Sequence, residues 1–137
     1  MKRDCSDQLI GVVIEDLAIR LGRFNYKGYL LAEKQIKTPQ PPVPGVVTVA
    51  ICEAIEDIDP EHLALFVGVE LPESVEIKGH VVRANAEFSG WDEVPLIDWL
   101  EPRLNRRVVL AINGSGQLGA GPIAFEQFTS FNAFAKA

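Results

Sequence analysis

The stretch GVVIEDLAIRLGRF, residues 11–24, places two apolar runs on either side of a two-acid corner. The runs are rich in Val, Ile and Leu and are bounded by polar turns, a pattern that predicts paired β-strands over 8–14 and 17–25. The corner between them is Glu15-Asp16. Such a hairpin can open a nucleotide site or can be only a polar turn, and these residues by themselves favour the turn.

Strand and helix patterns alternate downstream of this hairpin. Residues 28–37 predict a third strand. The segment TPQPPVPG, 38–45, carries four prolines and predicts a stiff connector, with a docking peptide for an aromatic groove as the less favoured alternative. The spacing of Val47, Ile51, Ala54, Ile55 and Ile58 predicts a helix over 45–58 with these residues on its apolar face, and the continuous apolar run 62–70 predicts a strand buried on both faces.

The second half of the chain continues the alternation. A hairpin is predicted within 75–88, and a helix over 92–104 with Asp92 as its N-cap. Pro102 predicts a kink or an early end of this helix, because proline lacks the amide hydrogen that a helix interior needs. A further strand is predicted over 107–112.

A helical tail from residue 123 completes the predicted order, which is β-β-β-α-β-hairpin-α-β-α. Strands that alternate with helices imply a mixed sheet with helices packed on it, the α/β class. The chain has 137 residues, which predicts a single domain over 1–137.

Charge and composition exclude several classes of function. The formal net charge is −6 and the sequence pI is about 4.9, which disfavours nucleic-acid binding. No apolar run reaches the length of about 18 residues that a membrane span needs, and the polar N-terminus lacks the apolar segment of a secretory signal. The two cysteines, Cys5 and Cys52, lie far apart and fit a reduced, cytoplasmic protein.

No residue pattern predicts a metal, a cofactor or a catalytic centre. His62 and His80 lack ligand-type spacing to another histidine or a cysteine. The segment NGSGQLGAG, 113–121, has G-x-G-x-x-G spacing but neither a P-loop lysine nor a ribose-binding acid, which disfavours nucleotide binding there. The acidic residues of the first helix predict a solvated face; they are Glu53, Glu56, Asp57 and Asp59.

Four phenylalanines recur at every third position of the tail, at Phe125, Phe128, Phe131 and Phe134. On an α-helix, three residues advance about 300°, so one helix face cannot bury all four rings. The rings that the core does not take would either contact a partner or be wrapped by the terminal turn, and these two alternatives stay open.

The segment VPLIDWLEPRLNRRVVLAIN, preceded by SGW, resembles a conserved segment of ROK-family sugar kinases, the glucokinase-like members of the actin-like ATPase superfamily. LGRFNYKGYLLAEKQIKTPQP and HLALFVGVELPES resemble the family's second to fourth strands, and the opening stretch falls on its first hairpin. The resemblance implies one lobe of the ribonuclease-H-like, actin-like fold, with a mixed five-stranded sheet flanked by helices.

The family's functional motifs are altered in this sequence. Where the family's first hairpin has D-x-G-G-T glycines, the chain has Glu15, Asp16 and Leu17, whose charge and bulk oppose phosphates. Asn113 stands at the family's catalytic aspartate, and an amide cannot accept the sugar hydroxyl's proton. Glu73 replaces a family glycine after the fourth strand. The family's second lobe and its zinc-binding motif are not in the sequence.

These departures predict a protein that is not an enzyme and holds no cofactor or metal. We expect a protein-binding adaptor or assembly factor whose partner is a protein or a peptide segment, with a homodimer as a further expectation. The resemblance is closest to members from photosynthetic bacteria, where a carboxysome-type complex is one such assembly. The predicted partner-binding residues are the four tail phenylalanines together with Glu15, Asp16, Glu70 and Glu73.

Two other functions stay open. The first is a small-molecule sensor that retains weak sugar or nucleotide binding, which would need the cleft glycines that are mostly replaced. The second is an active enzyme completed by a separate second lobe, which would need an acid at position 113.

Overall fold

A computed structural model of the chain describes residues 8–15, 17–25, 29–72, 75–84 and 91–112. Its elements follow one another as β1 (Gln8–Ile14), β2 (Ala18–Phe24), β3 (Leu30–Lys37), α1 (Pro44–Ile58), β4 (Ala64–Leu71), β5 (Val75–Lys78), β6 (Val81–Ala84), α2 (Leu96–Leu104) and β7 (Arg107–Ile112). Strands β3-β2-β1-β4-β7 form one sheet, and β5 pairs with β6 in a small second sheet. The predicted α/β class with a mixed five-stranded sheet is confirmed.

The opening hairpin forms as predicted. Strands β1 and β2 pair antiparallel, with Leu9 opposite Phe24 and Ile14 opposite Ile19. Strand β3 then pairs antiparallel with β2 and lies at the edge of the sheet. Successive side chains of a strand point to opposite faces, so this register fixes which apolar residues meet the helices.

Strand β4 lies between β1 and β7 and runs parallel to both. Its positions from Val67 to Leu71 are all buried, which confirms the prediction of a strand covered on both faces. Helices α1 and α2 provide the crossovers that parallel neighbours require, since no tight turn can join parallel strands. The carboxyl ends of β1, β4 and β7 therefore meet at one edge of the sheet.

Both helices bury their apolar faces in one core against the sheet. In α1 the buried apolar residues at the helical spacing are Val47, Ile51, Ala54, Ile55 and Ile58. They match the face that periodicity predicted, and α1 begins at Pro44, one residue before the predicted start. The larger hydrophobic cluster joins these residues to strands and to α2, whereas a smaller cluster on the opposite sheet face contains described residues of strands only.

The second helix begins later than predicted. Asp92 does not cap it; the N-cap is Pro95 and the helix runs from Leu96 to Leu104. The cause is a long-range pairing, because Val94 exchanges two backbone hydrogen bonds of 2.8 Å with Val82 of β6 and is therefore extended. The helix continues through Pro102 to Leu104, and its C-cap is Asn105, which adopts the left-handed conformation.

A buried ion pair fastens the amino-terminal edge of the sheet. Arg106, immediately before β7, donates through Nη2 to Asp59 Oδ2 at 2.9 Å and through Nε to the Ala64 carbonyl at 2.8 Å. Asp59 accepts the backbone N–H groups of Leu63 and Ala64, both at 2.9 Å. Asp59 was predicted on a solvated acidic face, and the structure corrects this, since its side chain is almost fully buried.

None of the described helices combines the length and apolar character that crossing a bilayer would require.

Candidate functional site

The β1–β2 corner uses its own backbone groups to close the turn. The Glu15 N–H donates to the Ala18 carbonyl at 2.9 Å, and the Glu15 carbonyl accepts the Thr38 hydroxyl at 2.7 Å. The Leu17 carbonyl accepts the Thr38 N–H at 3.1 Å. Both described side chains of the corner are exposed to solvent: the Glu15 carboxylate and Leu17, which is 78% exposed.

The predicted acidic residues lie in different environments. Glu70 is only 5% exposed and stands in β4 opposite Val13 of β1 and Ala111 of β7. Glu15 follows β1, and Glu70 lies near the end of β4, which is parallel to β1. Both acids are therefore at the same edge of the sheet, where Glu15 is exposed to solvent and Glu70 is buried. Asp16 and Glu73 lie outside the described residues.

The tail phenylalanines also lie outside the residues that the structure describes, and their role in partner binding stays a prediction; they are Phe125, Phe128, Phe131 and Phe134. Asn113 and the glycine-rich segment 113–121 lie outside the described residues as well. Within the described ranges, no group of three or more His, Cys, Asp or Glu residues is arranged to hold a metal ion.

Sequence reasoning missed an open groove between the outer faces of α1 and α2. The groove has a volume of about 440 Å³. Its lining residues are Gly45, Thr48 and Val49 of α1 with Asp98, Trp99, Pro102 and Arg103 of α2. Two of the lining side chains are large, apolar and exposed: Val49 is 46% exposed and Trp99 37%. The signal in the sequence is that these apolar residues lie off the buried stripes of their helices.

The rim of this groove carries one charge of each sign. The Asp98 carboxylate lies 3.1 Å from His80 Nδ1, and both side chains are largely exposed. Arg103 is exposed and has no ion-pair partner within the described part of the chain. The groove therefore combines an apolar floor with an acid at one end of α2 and a free base at the other.

Cys52 of α1 is predicted to react slowly. Burial raises the pKa of the Cys52 thiol, an effect that Arg103 opposes and Glu56 reinforces. Because the thiolate is the nucleophile, iodoacetamide should alkylate Cys52 in a Cys5→Ser variant more slowly than in the same variant unfolded in urea. Mass spectrometry at pH 8 measures both rates.

Raising the pH supplies the control for this experiment. The raised pKa means that deprotonation favours the unfolded chain, so this group weakens the fold only on the alkaline side, as pH rises above the ordinary thiol pKa. The ratio of the alkylation rate in the unfolded chain to that in the folded chain should fall as the pH rises above the ordinary thiol pKa, because the thiol then deprotonates in both states. Equal rates in the folded and unfolded chain at pH 8 would contradict the assignment.

The described fold matches solved structures of sugar kinases. A ROK family glucokinase from Streptomyces griseus, in complex with glucose and AMPPNP, is 28% identical over 80% of this chain and 34% of that chain, with a TM-score of 0.69. An inorganic polyphosphate/ATP-glucomannokinase from Arthrobacter sp. strain KM is 25% identical over 81% of this chain and 46% of that chain, with a TM-score of 0.68.

A ROK hexokinase from Thermus thermophilus shares the fold, at 23% identity, a TM-score of 0.68, and coverage of 80% of this chain and 36% of that chain. This chain spans less than half the length of each of these three structures. No protein-family model and no curated protein sequence matches it. By its fold and by these matches, the chain is similar to the N-terminal lobe of ROK-family sugar kinases.

Proposed function

We propose that this chain is a non-catalytic protein-binding module, an adaptor or assembly factor built on a sugar-kinase lobe. The observation that carries the proposal is the β1–β2 corner. A phosphate-binding hairpin offers free backbone N–H groups to the anion, whereas the Glu15 N–H donates to Ala18 within the turn. The exposed Glu15 carboxylate adds a charge that repels phosphate.

The side chains at the corner suit a protein partner. Leu17 is a large apolar side chain that stays in water, and the carboxylate of Glu15 stands two residues away. A basic segment of a partner would pair its cation with the carboxylate and cover the leucine. The proposed partner is therefore a basic protein segment with an apolar residue next to its charge.

Ligand binding tests the non-catalytic part of this proposal. We expect the melting temperature of the chain to stay unchanged when Mg²⁺-AMPPNP and glucose are added at millimolar concentration, because a ligand stabilises a protein only through binding to its folded state. The Streptomyces griseus glucokinase, treated in the same way, serves as the positive control. A saturable rise in the melting temperature of this chain would sink the proposal in favour of a small-molecule sensor.

Partner capture tests the protein-binding part. Affinity purification from the native host should retrieve a partner with the wild-type chain and lose it with the Glu15→Gln, Leu17→Ser double variant. The matched control is Leu31→Ser with Glu33→Gln, an exposed leucine and acid on the edge strand β3. Equal retrieval by both double variants would place the binding surface elsewhere.

The predicted role of the tail needs its own variants. Phe128→Ala and Phe131→Ala should reduce retrieval of the same partner while leaving the chain folded, as judged by circular dichroism. A folded variant that retrieves the partner in wild-type amounts would remove the tail from the proposed surface and leave the corner as its centre.

A further inference from the structure

The face of the five-stranded sheet that points away from α1 and α2, called the second face below, carries a row of glycines. Gly11 of β1 lies directly opposite Gly22 of β2 on one side and Gly68 of β4 on the other. All three glycines are buried. Because glycine has no side chain, this glycine row leaves bare backbone across three neighbouring strands. Glycine inside a strand marks a place where another part of a protein can approach closely.

The apolar residues around the glycine row are almost completely shielded from water. Side chains alternate along a strand, so Gly11 shares the second face with Leu9 and Val13, which are 1% and 2% exposed. Phe24 of β2 is 1% exposed. Glycines cannot provide this cover, and the described residues of the cluster all belong to strands. The shielding is that of a single chain, so its source is a segment of this chain outside the described ranges.

The tail is the segment whose sequence and position suit this cover. Residues 1–7 are mostly polar, and residues 85–90 lead from β6 to Trp91, which is buried in the cluster on the other face. The tail, 123–137, is rich in phenylalanine and comes after β7. The segment 113–122 can span about 33 Å when extended, at about 3.3 Å per residue. The distance from β7 across the sheet to β2 is three strand spacings, about 14 Å, so the tail can reach the glycine row.

The helix that the sequence predicts for the tail has one face that fits the glycine row. Phe128 and Phe131 are neighbours on the helix surface, because they are three residues apart. They lie at the centre of an apolar stripe that has a small residue at each end; the stripe is Ala124, Phe128, Phe131 and Ala135. Rings at the centre fill the space where the strands lack side chains, and alanines at the ends let the helix approach the flanking apolar residues.

We propose that the tail packs on the second face of the sheet of its own chain and seats Phe128 and Phe131 on the glycine row. Each ring that is buried there removes about 150–250 Å² of surface from water, which holds the tail in place. Phe125 and Phe134 lie about 90° to either side of the stripe, at the edges of the docked tail, where a partner can reach them. The inference does not rest on the proposed function, because it concerns contacts within one chain.

Photo-cross-linking of the full chain tests where the tail lies. The photoreactive residue p-benzoylphenylalanine in place of Phe131 should, after irradiation, be joined to peptides of β1, β2 or β4, as identified by mass spectrometry. In an equal mixture of unlabelled and isotope-labelled chains, the cross-links should form within one chain. The same probe in place of Trp99, on the outer face of α2, is the control and should not be joined to the tail. Cross-links from position 131 to α1 or α2, or between two chains, would overturn the proposal.

A double-mutant cycle provides a second measurement that uses natural side chains only. Phe131→Ala and Phe24→Leu should each raise the equilibrium constant of unfolding in urea. The increase in the double variant should be about fivefold or more below the product of the two single effects, because residues in contact are coupled. The matched control combines Phe131→Ala with Ile55→Val, in the cluster on the other face, and these effects should multiply to within about twofold. Effects that multiply in both cycles would refute the docking, as would a Phe131→Ala chain as stable as the wild type.

Discussion

The Arg106→Met variant is expected to lower the free energy of unfolding by about 3 kcal/mol, because it removes the guanidinium 2.9 Å from the buried Asp59 carboxylate and leaves only the more distant Arg23, whose Nε lies 3.9 Å from Asp59 Oδ1. The guanidinium also donates to the backbone carbonyls of Ala64 and Leu104, and both lose a donor. The ion pair therefore joins the end of α1, the start of β4 and the connection from α2 to β7. Urea denaturation followed by circular dichroism measures the loss.

Arg107→Met is the matched control for this prediction. Arg107 is the next residue in the chain and is exposed, so the same substitution should change the unfolding free energy by no more than about 0.5 kcal/mol. An Arg106→Met variant that is as stable as Arg107→Met would show that the buried ion pair is not needed for the fold.

The Trp91→Ala variant should lose about 3–5 kcal/mol, the usual cost of removing a buried aromatic side chain and leaving its cavity. Trp91 is fully buried, and its Nε1 donates to the Pro42 carbonyl at 2.6 Å. It thereby fixes the proline-rich connector ahead of α1 against the chain that leads into α2. Either this loss or that of Arg106→Met is a large part of the roughly 5–15 kcal/mol that stabilises a typical domain.

A second substitution at the same position separates packing from hydrogen bonding. Trp91→Phe retains most of the apolar volume but removes the donor to Pro42, and it should cost about 1–3 kcal/mol. Tyr29→Ala, at an exposed aromatic residue, is the control and should be close to neutral. If Trp91→Phe were as destabilising as Trp91→Ala, the hydrogen bond rather than the packing would dominate.

Local patterns located the elements of this fold with small errors. Strands β1 and β7 have the predicted bounds, and the buried stripe of α1 is the one that its periodicity indicated. Such patterns work because an amphipathic helix or strand records in consecutive residues which of its faces meets the core. The resemblance to ROK-family kinases was carried by the same framework segments, and the sheet order supports it.

The errors arose where distant residues decide the local structure. The start of α2 is delayed because Val94 pairs with Val82, and no signal near Asp92 reveals that bridge. Asp59 was predicted to be solvated because its neighbours in sequence are acidic, yet Arg106, 47 residues further along the chain, draws it into the interior.

The candidate sites divide in the same way. The acid at the β1–β2 corner was visible in the sequence, because a polar break between two apolar runs marks a turn whose side chains meet solvent. The groove between α1 and α2 was not visible. Although Val49 and Trp99 lie off the buried stripes of their helices, the lining residues come from two helices, and only the packing of both helices on the sheet brings these exposed faces together.

By itself, the sequence determined the order of the elements, the mixed α/β sheet and the acidic corner, since periodicity and turn chemistry act over a few neighbouring residues. Only the tertiary structure decided that Asp59 is buried, that Glu70 lies within the sheet and that apolar side chains of α1 and α2 remain in water. The physical reason is that burial depends on which segments meet in space, and the hydrogen bond from Trp91 to Pro42 joins residues 49 positions apart.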